Sequence, residues 1–279
     1  MIVTAKPVLT GSHGLIDCRA HEWGSIAMQG TVSNNDTARI SLPAAGLAIV
    51  AATAALLLLA SLHVLSPEFD PSWRMVSEYA NGHYGWVLSL MFAAWGVSSW
   101  ALAFAIWSVT RKTAVKIGLV FLTLAGVGEA MAAVFDLNHD TLHNLAGALG
   151  IVGLPIAALL ISMNLGRTEP WSVAKRTLLW TANLTWVSVA LLAATFALLI
   201  ATFSQVGGGL PAQAPKVLPP GVIGLVGWAN RLLVVSYCVW VITVAWRAMK
   251  LRGQDIPVSK LEGPLLPITL VGGPDRAGR

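Results

Sequence analysis

Side chains that can bind metal ions, transfer protons or hold a ligand are concentrated in two polar stretches, 67–84 and 136–144. Imidazole and carboxylate groups are the ones that zinc sites and acid–base chemistry use most. The two stretches follow the first and the third of several long apolar runs, so we expect them to meet at one end of a bundle. In or beside them lie His63, Glu68, Asp70, Glu78, His83, Asp136, His139, Asp140 and His143.

Three of these residues, Asp136, His139 and His143, have spacings of three and four. On one continuous helix this spacing would put all three side chains on the same face. With Glu78 or His83 they could supply three or four ligands to zinc and leave a position for an activated water. The helix is expected to end near Asp136, however, and capping or interfacial roles for the following residues compete. No cofactor is therefore expected, and zinc is the alternative.

Two further charges, Glu129 and Arg231, lie inside apolar runs. Glu129 is two turns before Asp136, which places it roughly 10 Å below the end of its helix. Arg231 is ten positions after Gly221, in the last run. Because a charge at membrane depth is costly without a partner, the sequence favours pairing of Glu129 with Arg231. Whether such a pair only fixes the packing or binds a ligand stays open.

The elements that position these residues are apolar helices. Of the 279 residues 56% are hydrophobic and 11% are charged, whereas a soluble domain has about a quarter charged residues. The apolar runs reach the length of roughly 20 residues that a membrane-spanning helix needs. The sequence predicts an all-α polytopic bundle of six transmembrane helices. The predicted spans are 43–65, 85–110, 116–135, 145–165, 177–203 and 221–247.

The orientation follows from the Lys and Arg residues, fifteen of which, out of 18, flank one side of the predicted bundle. Cytoplasmic flanks hold an excess of these residues, so both termini are predicted inside, in a multi-pass protein of the cell inner or plasma membrane. This basicity is explained by topology, and no nucleic-acid partner is expected. Tryptophans close to predicted helix ends are typical of interfacial anchors: Trp73, Trp86, Trp171, Trp180, Trp228 and Trp246.

The segments outside the membrane domain, 43–247, differ from it in composition. The tail 248–279 contains four prolines and no sustained apolar period, and the tail 1–42 is polar. Both are predicted to be disordered and cytoplasmic. Met28 is an alternative start, because Thr37 to Ile40 leads directly into the first apolar run.

Short motifs in this chain resemble those of the domain of unknown function 998 family. They are Val76-Ser77-Glu78-Tyr79 with Gly82 and Gly85, Phe135-Asp136 with His143, and Gly227 with Arg231. The resemblance covers about Leu47 to Arg247 and implies a prokaryotic six-helix membrane protein of open activity. It also implies that Ser77, Glu78, Asp136, His143 and Arg231 are important, without assigning them roles. Asn230 stands where the family often has an acid, which favours a partner for Arg231 on another helix.

These observations favour a non-enzymatic membrane protein that binds a lipid or small amphiphile, for transport, sensing or an accessory role. One alternative is a zinc-dependent lipid hydrolase, because His-x-x-x-His with nearby acids is similar to the ceramidase-like hydrolases, although their seventh helix is missing. Another is an ion-coupled carrier that uses Glu129. The oligomeric state stays open. The predicted ligand-binding residues are Ser77, Glu78, Glu129, Asp136, His143 and Arg231, and the predicted metal ligands are Asp136, His139 and His143.

Overall fold

The computed structural model describes residues 37–38, 40–109, 112–137, 139–206, 215, 217–251 and 256–257, all within one compact unit, Asp36–Arg279. Within these residues, six helices are long and apolar enough to cross a membrane. They are α1 (Leu42–Leu65), α2 (Gly85–Ile106), α3 (Thr113–Val134), α4 (Asp140–Leu165), α5 (Lys175–Gln205) and α6 (Val226–Lys250). The predicted all-α bundle is thereby confirmed, and the chain is a multi-pass membrane protein.

The helix boundaries differ from the predicted ones mainly at the starts of α4 and α6. α4 begins at Asp140 and not at Leu145, because a carboxylate in the first turn is favourable at a helix N-terminus despite its polarity. α6 begins at Val226 and not at Gly221. Arg231 is therefore only in the second turn of its helix, so its distance from the helix start was overestimated.

Small residues allow the helices to approach closely. A Cβ atom added at Gly128 in α3 would lie 2.6 Å from the carbonyl oxygen of Ala146 in α4, and one at Gly96 in α2 would lie 3.0 Å from that of Gly126 in α3. Close approach through such residues is the usual way for helices to associate in membranes. α6 is central, and its buried Trp240 donates to the hydroxyl of Ser162 in α4.

The two ends of the bundle differ. At one end α1, α3 and α5 finish, and the connection between α1 and α2 contains a six-residue 3₁₀ helix, Val76–Asn81, called here the loop helix. This end is the loop-helix end. The opposite end, the basic end, carries the Lys- and Arg-rich connections. The chain also forms a two-residue antiparallel ladder between β1 (Thr37–Ala38) and β2 (Ile256–Pro257).

The tryptophans near helix ends fall into two groups. Trp86, Trp180, Trp228 and Trp246 each expose more than half of their surface, as interfacial anchors do. Trp73 and Trp171 are buried, so for these two the interfacial prediction is wrong. Their connections fold back onto the bundle, which turns the end-of-helix position into an internal one.

The connection between α1 and α2 packs onto the start of α6. Val76 and Tyr79 of the loop helix are buried, so this polar stretch folds back into the mouth of the bundle. A Cβ atom at Gly227 would lie 2.5 Å from the carbonyl oxygen of Pro71, so only glycine permits this contact. The predicted disorder of 1–42 and 248–279 falls mostly outside the described residues.

Candidate functional site

A cavity of about 110 Å³ lies below the loop helix, among α2, α3, α4 and α6. Most of its wall is apolar or glycine. The polar side chains that line it are few, and they come from five different elements. They are Ser77, Trp95, Glu129, His143 and Asn230.

Glu129 is the one carboxylate of this lining and is only 3% exposed. Its Oε2 accepts a hydrogen bond of 2.8 Å from the Ser99 hydroxyl of α2. Its Oε1 is buried and has no hydrogen-bond partner. Among the described residues, no Lys, Arg or His side chain forms an ion pair with it. The cavity therefore contains a carboxyl group with one unused oxygen.

The loop helix and α6 together line one side of the cavity. The Oδ1 of Asn230 accepts a hydrogen bond of 2.8 Å from the Val76 backbone N–H and so fixes the start of the loop helix on α6. Ser77, the next residue, lines the cavity beneath. Its position thus depends on a contact between two segments that are far apart in sequence.

His143 lines the cavity from the first turn of α4. Its Nδ1 lies 3.0 Å from the backbone carbonyl oxygen of Phe135. Because a carbonyl oxygen only accepts, Nδ1 must carry the hydrogen in the neutral ring, which leaves Nε2 as an acceptor. This contact holds the imidazole between the end of α3 and the start of α4.

A larger groove of about 520 Å³ adjoins the cavity and runs between α4 and α5. Its α5 wall is apolar and includes Val189, Leu192 and Phe196. The groove and the cavity share five lining residues, so they are neighbouring parts of one concave surface. The shared residues are Met75, Ser77, His143, Gly147 and Ile151.

Arg231 belongs to a separate network at the loop-helix end and is 4% exposed. Its Nε donates to Nε2 of His63 at 2.7 Å, and its Nη2 donates to the Tyr79 hydroxyl at 3.0 Å. Its Nη1 donates to the carbonyl oxygens of Arg74, at 2.8 Å, and Gly227, at 3.0 Å. The guanidinium also lies 5.5 Å from the centre of the Tyr79 ring. One arginine thus joins α1, the α1–α2 connection, the loop helix and α6.

The predicted pairing of Glu129 with Arg231 is therefore wrong. Arg231 donates to neutral acceptors, and Glu129 accepts from Ser99. Successive residues of a helix point about 100° apart. Asn230 and Leu233 face the cavity, whereas Arg231 faces the α1–α2 connection together with Gly227, one turn earlier. The direction of the side chain, which the sequence does not give, decides the partner.

Two other predicted ligand-binding residues lie outside the lining of the cavity. Glu78 is 2.9 Å from Nε of Arg74 in an ion pair, and its Oε1 accepts from the Met75 backbone N–H at 2.7 Å. It therefore closes the first turn of the loop helix. Asp136 lies 3.1 Å from Nδ1 of His139, on the exposed link between α3 and α4. The structure brings together Ser77, Glu129 and His143 of the predicted set.

The spacing behind the zinc hypothesis does not hold, because α3 ends at Val134 and α4 begins at Asp140. Asp136, His139 and His143 are thus not on one helix. In the part of the chain that the structure describes, no group of three or more His, Cys, Asp or Glu side chains is arranged to hold a metal ion. A zinc site stays a prediction.

Sequence reasoning missed Trp95, Ser99 and Asn230. Trp95 and Ser99 are one turn apart in α2, a spacing that puts them on one face. A tryptophan in mid-helix, away from the interface where tryptophans concentrate, is a usable signal for such a face. For Asn230, the sequence indicated only that it stands where the family often has an acid, and not that it lines a cavity.

Comparison with protein families gives one finding. A model described as "Protein of unknown function (DUF998)" matches residues 49–247, which include all the lining residues named above. The chain belongs to the DUF998 family. No curated protein and no solved structure matches the chain. Family membership thus agrees with the resemblance found in the motifs, and the family description assigns no activity.

Proposed function

We propose that this DUF998 protein binds a lipid or another small amphiphile, with its chain in the α4–α5 groove and its head group in the cavity. The observation that carries this proposal is the shared wall between an apolar groove of about 520 Å³ and a polar-ended cavity of about 110 Å³. A surface of this kind matches a molecule that has an apolar and a polar part.

The chemistry of the walls supports this division. Ligand sites are usually largely apolar, with a few polar groups that fix the orientation of the ligand. Here the α5 wall of the groove is apolar, and two of the groove's three polar residues, Ser77 and His143, also line the cavity, whereas Asn144 lines the groove alone. A ligand in the groove would lie between two membrane-spanning helices, where it could arrive from the bilayer without crossing water.

The distribution of Lys and Arg residues predicts on which side of the membrane the site lies. If the basic end is cytoplasmic, as the excess of Lys and Arg there predicts, the cavity is in the outer half of the bundle. Binding there would serve transport, sensing or an accessory role in the cell inner or plasma membrane. An enzymatic role has less support, because no activated nucleophile lies among the polar lining residues.

Blocking the junction tests this proposal. A Cβ atom at Gly147 has only Ile151 Cδ1 near it, at 4.0 Å, so a side chain has room to start there and Gly147→Leu should extend into the junction. Gly46 in α1 has no neighbour within 4 Å of such a Cβ, so Gly46→Leu is a matched control. Native mass spectrometry of gently purified protein should find a retained amphiphile in the wild type and in Gly46→Leu, and much less in Gly147→Leu. Equal retention in all three, or none in the wild type, contradicts the proposal.

A second candidate is a proton-coupled carrier, favoured by the buried Glu129 that has no cationic partner among the described residues. A carboxyl group at such a position can bind and release a proton as its surroundings change. In proteoliposomes this function requires that movement of the amphiphile responds to a pH gradient and loses the response in Glu129→Gln. Movement that is indifferent to the gradient excludes it.

A further inference from the structure

Two residues that line the cavity each have a buried polar atom without a hydrogen-bond partner, one a donor and the other an oxygen of a carboxyl group. Trp95 Nε1 and Glu129 Oε1 are both buried, and neither has a hydrogen-bond partner. Both residues line the same 110 Å³ cavity. Buried polar atoms without partners are rare in folded proteins, because an unsatisfied donor or acceptor loses its hydrogen bonds to water and gains none in return. A single group that both donates and accepts a hydrogen bond could satisfy the two atoms together.

The local structure brings the two side chains to one region. Trp95 and Ser99 are one turn apart on α2, and the Ser99 hydroxyl holds the other carboxyl oxygen of Glu129. The Trp95 ring is fixed by Phe92, with ring centres 6.1 Å apart, and by Tyr237, at 5.9 Å. The indole is thus held in place by packing, and its N–H is not satisfied by a neighbour.

Other buried polar atoms without partners do not share this setting. Ser66 Oγ, Trp171 Nε1 and Arg247 Nε also lack one, but their residues are not part of the cavity lining. The pair formed by Trp95 and Glu129 is distinguished by its opposite hydrogen-bonding roles and by its shared cavity.

We infer that the amphiphile carries an uncharged hydroxyl head group, which donates to Glu129 and accepts from Trp95. This inference rests on the proposed function and specifies the class of ligand. A hydroxyl has one donor and two acceptor positions, so it can satisfy both protein atoms at once. It can also do so in either protonation state of the carboxyl group, since it can donate to the oxygen or accept from it.

Other head groups fit less well. An ammonium group has only donors, so it would leave the Trp95 N–H facing another donor. A phosphate or carboxylate would bring a second acidic group beside Glu129 in a buried site, which is unfavourable. An ether can accept from Trp95 but cannot donate, so it leaves Oε1 of an ionised Glu129 unsatisfied. Fatty alcohols and monoacylglycerols are therefore the expected class.

The experiment compares three amphiphiles with the same C12 chain: 1-dodecanol, dodecyl methyl ether and dodecylamine. Binding to the full chain in phosphatidylcholine nanodiscs is measured by retention after gel filtration and quantified by mass spectrometry. In the wild type, dodecanol should bind about ten-fold more tightly than the ether, the size of effect that one hydrogen bond to a buried partner gives. Dodecylamine should bind no better than the ether.

Variants identify the two protein groups. Trp95→Phe keeps an aromatic ring but removes the donor. Because both dodecanol and the ether accept from this donor, the variant should bind each of them several-fold more weakly than the wild type does. Trp100→Phe is the matched control on the same helix, because the Trp100 N–H already donates to the Thr123 carbonyl oxygen. It should leave the binding of both dodecanol and the ether unchanged. Glu129→Gln keeps a side-chain acceptor without the charge, so it should retain the preference for dodecanol.

The possible results separate the inference from the proposed function. Preference for dodecylamine that disappears in Glu129→Gln overturns the hydroxyl in favour of an ammonium group. Equal binding of all three amphiphiles means that water alone fills the cavity, which overturns the inference but leaves chain binding in the groove intact. Failure of every C12 chain to bind overturns both. Thermal unfolding of each variant verifies that it is folded.

Discussion

The Arg231 network and the Glu129 cavity both lie against the first turns of α6, yet they satisfy their polar groups in opposite ways. Arg231 donates four hydrogen bonds to four different residues. Glu129 has one bond, from Ser99, and one unused oxygen. Asn230 faces the cavity, and the next residue, Arg231, faces the α1–α2 connection. Two adjacent residues of α6 thus point towards the two regions.

This difference gives each region a different role. A fully satisfied polar network fixes the arrangement of its elements and rigidifies them. Here it holds the α1–α2 connection on α6, where the Ser72 carbonyl oxygen also accepts from the Gly227 backbone N–H at 3.0 Å. A partly satisfied site costs stability and is retained where a ligand completes it. Arg231 is thus the scaffold, and Glu129 is the candidate binding group.

The largest expected effect is on stability in Arg231→Met. The substitution removes four hydrogen bonds and leaves buried acceptors without donors, so it should lower the free energy of unfolding by about 2–4 kcal/mol. Arg247→Met is a matched control, because the side chain of Arg247 donates to the carbonyl oxygen of Pro170 alone among the described residues. Unfolding in detergent by sodium dodecyl sulfate titration measures both. A loss in Arg231→Met no larger than the control's would remove the scaffold role.

A smaller effect of opposite sign is expected for Glu129→Leu. The substitution removes a buried carboxyl group with an unused oxygen. The free energy of unfolding should therefore stay unchanged or rise by up to about 1 kcal/mol. The Arg231→Met/Glu129→Leu double variant should show the sum of the two single effects, since the side chains belong to separate networks. Recovery of stability in the double variant, by more than about 1 kcal/mol over the sum, would indicate that the two charges pair after all.

The smallest effect concerns Asp70, in the connection between α1 and α2. Hydrogen bonds from the backbone N–H and then the hydroxyl of Ser72 lower the pKa of Asp70 from its ordinary 3.8. A lowered folded-state pKa stabilises the protein above the unfolded value, and this contribution is lost as the pH falls through the folded one. The melting temperature of the wild type should therefore exceed that of Asp70→Asn at about pH 6, and the gap should narrow towards about pH 3. A gap that widens on acidification contradicts this assignment.

The six helices could be predicted because membrane spans are set by length and apolar composition, both of which are local properties of the sequence. The candidate site could be predicted only in part. Glu129 was found because a charge inside an apolar run is visible in the sequence. Ser77 and His143 were found from short motifs. What these residues touch depends on how the helices are rotated about their axes, and mean apolarity carries no information on that rotation.

Trp95 and Arg231 illustrate why the sequence did not predict the contacts of the site. A tryptophan in mid-helix can mark a buried face in the sequence, but only its position in the cavity lining makes its unbonded N–H meaningful. Arg231 looks like a residue that needs a carboxylate, yet neutral acceptors suffice, two of them backbone carbonyl oxygens of Arg74 and Gly227. Backbone acceptors exposed by a folded-back connection cannot be found by a search for charged partners.

The most direct test of the division between scaffold and binding site is an experimental structure of the protein in nanodiscs that contain native lipid. We expect elongated density in the α4–α5 groove that continues into the cavity and contacts Trp95 and Glu129, while Arg231 stays bonded to His63 and Tyr79. A groove without ligand density, together with an Arg231 side chain in contact with Glu129, would contradict the account.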